Sequence, residues 1–209
     1  MTSLIVLAKQ PLPGRVKTRL APPLSLEQAA GLAAAALRDT LAAAQSTDVD
    51  EYLLAFDGDA TEWLPPGWRS AQQPTGGLDR RLVAAFGAVD QDQASVLIGM
   101  DTPQFQPRQV EAFDPIEYDA CLGLATDGGF WAIGLRDPRR AAEVILGVPM
   151  STADTGMIQF ERLRCAGLRV QLLDDLTDVD TYAAALVVAG AAPDGEFARA
   201  LRELHVVHA

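Results

Sequence analysis

The sequence predicts an α/β protein: a three-layer sandwich with a mostly parallel, twisted sheet covered by helices on both faces. Three observations predict it. Short apolar runs alternate along the 209 residues with helical stretches, the pattern of repeated βαβ units. The strongest runs, SLIVLA (3–8) and SVLIGM (95–100), are apolar at consecutive positions, as in strands buried on both faces. Charged and glycine-rich motifs follow directly on several of these runs, and in such sheets ligands bind beyond the carboxyl ends of the strands.

The elements follow in order. SLIVLA is the first strand. Ser25 and Gln28 form an S-x-x-Q capping box ahead of an alanine-rich helix over 26–44. EYLLAF (51–56) is a second strand. Residues 58–77, rich in Pro, Gly and Trp, read as loop, and 78–89 as helix. SVLIGM is the third strand and ends abruptly at DTP. A short helix lies near 107–113. DACLGLA (119–125) and FWAIGL (130–135) are two strands joined by TDGG. Residues 137–145 are helical, and Ser151 with Asp154 fits a second capping box before a helix to about 166. LRVQLL (168–173) is the last strand, and helices near 180–190 and 194–204 close the chain. No internal repeat is visible, and residues 1–209 read as one domain, long enough to bury a full core.

Composition excludes several classes. The net charge of −11 argues against a nucleic-acid binder, which needs a basic face. No apolar run approaches the ~18 residues of a membrane span, and the N-terminus lacks the basic start and cleavage site of a signal peptide. Cys121 and Cys165 match no metal spacing, so a reduced, cytoplasmic protein is expected. The only histidines, His205 and His208, stand at the C-terminal end, which disfavours histidine-based or zinc chemistry.

The charge is unevenly spread. Residues 1–26 carry four cations and no anions; the rest carry 13 cations and 28 anions. All four cations, Lys9, Arg15, Lys17 and Arg19, lie in AKQPLPGRVKTRL (8–20), which holds both lysines of the chain. A local positive site on a negative body suits a small polyanion. Pro11, Pro13 and Gly14 bend the backbone, and the cations offer charge-assisted donors to phosphate oxygens. The loop is not a Walker A motif, because Val16 precedes Lys17 and Pro11 stands at the first glycine position.

The remaining chemistry rests on aspartates. Asp101, at the end of a buried strand in IGMDTP, is a natural oxygen ligand for Mg²⁺ or Mn²⁺; the competing reading is a turn-capping Asp. Asp57 and Asp59 in DGD make a literal D-x-D, which reads either as a metal site or as a common surface turn. Asp127, Gly128 and Gly129 form either a plain hairpin turn or a loop presenting a carboxylate and bare N–H groups to a ligand. In LTDVDTYAAAL (176–186), Asp180 or Thr181 is a sound helix N-cap. Asp178 and Asp180 share one side of an extended segment, so either can complete a metal pair with Asp101. Aspartates with cations are the toolkit of metal-assisted phosphoryl or glycosyl chemistry.

Four segments in order, Ala8 to Leu20, Gly99 to Pro103, Asp127 to Phe130 and Asp178 to Thr181, resemble the motifs A-K-x-P-x-P-G-x-V-K-T-R-L, G-x-D-x-P, D-G-G-[FYW] and D-[VI]-D-T. These are motifs of the bacterial glycosyltransferase-like family within the nucleotide-diphospho-sugar transferase superfamily. The resemblance spans nearly the whole chain and implies the GT-A fold, with phospholactate and molybdenum-cofactor guanylyltransferases as distant relatives. It implies that Lys9, Gly14, Arg15, Lys17 and Arg19 hold nucleotide phosphates, with Ala8 and Thr18 also binding the nucleotide, and that Asp101 and Asp180 bind Mg²⁺ or Mn²⁺. Arg81 in GLDRRL (77–82) would face the nucleotide, although Asp79 and Arg80 depart from the family's L-G-E-R. Leu124 and Thr126 also depart from the usual surroundings of D-G-G. Asp127, Gly128 and Gly129 would position the acceptor, with Lys17, Asp101 and Asp127 as the catalytic set.

The activity so implied is transfer of a sugar from a nucleotide-sugar to a small-molecule acceptor. The alternative is a nucleotidyltransferase joining an NTP to a phosphorylated acceptor, and a further one is a non-catalytic nucleotide-binding module. No nucleic acid and no membrane span are expected.

Overall fold

The computed structural model describes the backbone of residues 2–206 and the side chains of 2–204. His208 and the side chain of His205 therefore lie outside the described residues. Among the described residues, seven strands form one sheet: β1 (Thr2–Lys9), β2 (Glu51–Asp57), β3 (Arg69–Gln72), β4 (Ala94–Gly99), β5 (Ala120–Ala125), β6 (Phe130–Leu135) and β7 (Val170–Leu176). Their spatial order is β3-β2-β1-β4-β6-β5-β7. Every neighbouring pair is parallel except the two made by β6, which runs antiparallel to β4 and β5. The mostly parallel sheet expected from the sequence is thus the one observed. Its register puts the carboxyl ends of β1, β2, β4, β5 and β7 on one edge.

Helices cover both faces: α1 (Leu26–Gln45), α2 (Leu78–Phe86), α3 (Pro107–Glu111), α4 (Ala141–Ile145), α5 (Thr155–Cys165), α6 (Tyr182–Ala191) and α7 (Glu196–Val206). Alternate residues of the central strands feed two cores. Leu4, Val6, Leu54, Phe56 and Ile98 face α1 and α3. Ile5, Leu53, Leu97, Leu122 and Ile133 face α2, α4 and α5. Each fully buried side chain of this size contributes roughly 1.5–3 kcal/mol relative to exposure. A third cluster joins α1 to α6 and α7 through Leu32, Ala36, Val188 and Phe197. Among the described residues no helix is long and apolar enough to cross a membrane.

The helix caps test the sequence reading directly. The Ser25–Gln28 box is formed: Gln28 N donates to Ser25 Oγ at 3.2 Å, and Ser25 N to Gln28 Oε1 at 2.8 Å. Thr181 caps α6, accepting from Ala184 N at 3.2 Å. The expected Ser151–Asp154 box does not form. Ser151 has φ 61°, Asp154 makes no side-chain cap bond, and Thr155 instead accepts from Thr152 N and donates to Pro149 O.

Three boundaries also shift. The segment read as loop over 58–77 contains β3, whose polar RSAQ hides an edge strand. Buried Trp68, stacked on Tyr52 at 5.1 Å, holds it in place. The helix over 137–145 splits into a 3₁₀ turn, Pro138–Arg140, and α4. The last strand continues to Leu176.

Candidate active site

A cleft of about 760 Å³ opens at the sheet edge where those carboxyl ends gather, within the size range of small-molecule sites. One wall is the loop after β1. Leu12 to Arg15 form a turn closed by Arg15 N donating to Leu12 O at 3.0 Å, with Pro13 second and Gly14 third at φ 74°, the requirement of a type II turn. Val16 and Leu20 are buried at either end of the following stretch. Pinned there, Lys17, Thr18 and Arg19 line the cleft, as do Ala8 and Lys9 at the end of β1. Gly14 and Arg15 do not line it; Gly14 serves the turn, and Arg15 is exposed.

Lys17 adopts left-handed backbone angles, φ 47° and ψ 35°, uncommon for a residue with a side chain. Its side chain is only 7% exposed, and its Nζ lies 2.9 Å from Asp101 Oδ1 and 3.1 Å from Asp180 Oδ1. Burial alone pulls the ammonium pKa down; Asp101 and then Asp180 outweigh it, so the pKa stands above its usual value. Arg19 Nη1 reaches Asp180 Oδ2 at 3.2 Å, so both oxygens of Asp180 face a cation.

The opposite wall comes from the loops after β4, β5 and β7. Asp101 follows β4. Val179 is buried against the cluster around Leu20 and Leu24, so Asp178 and Asp180, flanking it, both line the cleft. Asp127, in the β5–β6 turn, completes a group: one carboxylate oxygen each from Asp127, Asp178 and Asp180 lies within 4.8 Å of the others. The Asp178 carboxyl is pushed up to about 6, first by burial and then by repulsion from Asp127 and Asp180, with Lys17 opposing. Three hard oxygen donors that repel one another fit Mg²⁺ or Mn²⁺.

Asp101 and Asp180, the expected metal pair, come together around the Lys17 ammonium. Asp178, which sequence reasoning left as an alternative to Asp180, stands beside it rather than in its place, and Asp127 joins them. No local spacing reveals that trio, because its members follow two strands separated by 45 residues or more in sequence. The one local signal was the D-V-D alternation around an apolar Val.

The two glycine N–H groups of the Asp127–Gly129 turn are both taken. Gly128 N donates to Ala125 O at 3.0 Å, and Gly129 N to Asp127 Oδ1 at 2.7 Å. Gly128, at φ 92°, is required by close packing: a Cβ there would stand 1.9 Å from Ala153 O. These glycines shape the turn against the start of α5, where Gly156 N donates to Gly128 O. Thr126, one of the departures from the family pattern, bonds Thr177 Oγ1 at 3.3 Å and so links the β5 and β7 loops.

DGD makes no part of the acidic group. Asp57 pairs with Arg81 at 3.2 Å, and Asp59 accepts from Thr61 N and Oγ1 in a local turn. Arg81 lines the cleft. Asp79 accepts from Gly147 N at 3.1 Å, a structural tie between α2 and the end of α4. Gln73, a lining residue that sequence reasoning missed, donates to Ala8 O and Ala55 O and so fastens the ends of β1 and β2.

A proposed nucleotide-diphospho-sugar transferase from Desulfovibrio desulfuricans G20 is similar at 28% identity, covering 98% of this chain and 95% of that one, with a TM-score of 0.87. CMP:2-keto-3-deoxy-manno-octonic acid synthetase, solved with CTP, shares the fold at 16% identity, 93% and 100% coverage and a TM-score of 0.58. Rv0371c of Mycobacterium tuberculosis H37Rv, solved with manganese, shares it at 18% identity, 90% and 96% coverage and a TM-score of 0.55. The fold is that of the nucleotide-diphospho-sugar transferases, as the four motifs implied. No curated protein matches by sequence. A family model described as "Uncharacterized protein conserved in bacteria (DUF2064)" matches residues 30–152.

Proposed function

The chain belongs to this bacterial family, and on that premise we propose that it is a metal-dependent transferase whose donor is a nucleotide-sugar. One observation carries the reading: a cationic loop and a trio of carboxylates face each other across one cleft and meet at Asp180. A nucleoside diphosphate group needs both, cations for its oxygens and anions for its divalent ion.

The roles follow from position. Asp127, Asp178 and Asp180 would hold Mg²⁺ or Mn²⁺; when bound, the ion offsets charge on the diphosphate. Lys17 and Arg19 would take the phosphate oxygens of the departing nucleotide, with Lys9 and Arg81 along the same cleft. Asp101 would orient Lys17, and the Asp127–Gly129 turn would border the acceptor. In the reaction an acceptor oxygen attacks the anomeric carbon, the carbon–oxygen bond to the diphosphate breaks, and nucleoside diphosphate leaves.

A second reading is nucleotidyl transfer, favoured by the CTP-bound synthetase that shares the fold. There a phosphorylated acceptor attacks the α-phosphorus of an NTP and pyrophosphate leaves. Incubation with Mn²⁺ and either labelled nucleotide-sugars or NTPs separates the two. Release of nucleoside diphosphate supports the first, and release of pyrophosphate the second. No product and no nucleotide-induced melting shift would remove both.

A further inference from the structure

Resting on that reading, we infer that Lys17 is a resident counter-cation. In the ligand-free chain its ammonium occupies the Asp180 carboxylate that the divalent ion would share with Asp127 and Asp178, and it makes metal and phosphate binding cooperative. The two carboxylates it bridges are otherwise close like charges. Asp180 belongs both to that bridge and to the trio with Asp127 and Asp178. An ion drawn to the trio therefore meets an oxygen already bonded to an ammonium, and a second already bonded to Arg19.

Lys17 is suited to leave. Its ammonium is a point charge on a flexible four-carbon stem, and it lines the cleft where a phosphate would sit. A phosphate that draws the ammonium away releases Asp180 to the ion. By linkage, the ion raises phosphate affinity by the same factor. Lys9 and Arg15 are different: they touch none of these carboxylates at salt-bridge distance among the described residues, so their loss would not free a metal ligand.

The test is Mn²⁺ binding by the full chain, read from the electron paramagnetic resonance of the free ion, with no nucleotide present. Lys17→Met should bind Mn²⁺ about tenfold more tightly than wild type, within the usual range of coupling between sites. Lys17→Arg, which keeps the charge, should remain near wild type. Equal affinity in wild type and Lys17→Met would overturn the inference while leaving the proposed function standing. No Mn²⁺ binding by any form would overturn the inference and remove the metal-dependent reading with it.

A measurement on wild type guards against a variant that does not fold. The chain has only two lysines, Lys9 and Lys17, so ¹⁵Nζ spectra of lysine-labelled protein assign readily. Mg²⁺ should shift the Lys17 ammonium signal, and pyrophosphate should lower the Mg²⁺ concentration needed by about tenfold. Mg²⁺ that saturates the backbone amides of Asp178 and Asp180 while the Lys17 signal stays put would overturn the inference.

Discussion

The backbone N–H of Val179 donates to the carbonyl oxygen of Asp101 at 2.9 Å. That bond joins the loop after β7 to the loop after β4, although β6 and β5 lie between the two strands in the sheet. With the Val179 side chain sealed in the cluster around Leu20, it holds Asp180 where Lys17 reaches it and Asp101 together. Preorganisation here comes from a backbone tie and an apolar plug, with the charged groups riding on both.

Asp101→Asn tests the ammonium's dependence on that arrangement. The variant keeps a polar group of the same shape but leaves the buried Lys17 with one carboxylate instead of two. Because the Asp101 side chain is itself 44% exposed, the loss is smaller than for a fully buried pair, about 1–2 kcal/mol. Urea unfolding without metal should show a lowered midpoint at an unchanged slope. An unchanged midpoint would mean that Asp180 alone satisfies the ammonium.

Gly128→Ala probes the turn that carries Asp127. The substitution forces φ 92° on a residue with a side chain and drives its Cβ to 1.9 Å from Ala153 O, a backbone atom that cannot swing aside. The expected cost is at least about 3 kcal/mol, combining left-handed strain with displacement of the α5 start. Gly129→Ala, whose Cβ would meet only the Asp127 carboxylate at 3.0 Å, should cost far less. Thermal melts of the two variants side by side decide it; equal losses would dissolve the distinction.

The sequence carried the fold well because the sheet's logic is local. A short run of consecutive apolar residues such as Leu4, Ile5 and Val6, bounded by turn residues, favours a strand covered on both faces, and motifs after the strands fall on one edge once the strands are parallel. It failed where meaning depends on distant partners. RSAQ reads as loop because an edge strand need not be apolar, and its anchor, Trp68 on Tyr52, lies outside it. The Ser151–Asp154 spacing fits a capping box, yet the hydroxyl that ties this segment belongs to Thr155, which bonds Thr152 N and Pro149 O instead. At the site, Lys17, Asp101 and Asp180 were legible as chemistry but not as geometry. Nothing local says that the lysine bridges the two aspartates, or that Asp127 crosses to Asp178.

Asp57→Asn separates the two D-x-D readings. Asp57 is paired with Arg81 and lies outside the acidic trio, so Mn²⁺ affinity should stay within about twofold of wild type. The half-exposed pair contributes at most about 1 kcal/mol to stability. Calorimetric titration with Mn²⁺ reads the first quantity directly. A loss of affinity beyond tenfold would bring DGD into the metal site.

Asp178 gives the chain a pH signature. Its carboxyl ionises near 6 in the folded state against 3.8 for an ordinary aspartate. Between those values the folded state holds the proton that the unfolded state has released, so stability falls as pH rises through the window. Below 3.8 this group costs nothing; above 6 the penalty is complete. The full shift corresponds to about 3 kcal/mol, and solvent screening at a half-buried site reduces it to about 1 kcal/mol. In chelator-treated buffer at pH 7.5, Asp178→Asn should therefore melt a few degrees above wild type, and the gain should vanish near pH 4. Added Mn²⁺ should invert the order, because the ion rewards the carboxylate that the empty cleft penalises. A variant that melts no higher than wild type at pH 7.5 would mean that the carboxylate pays no penalty for standing beside Asp127 and Asp180.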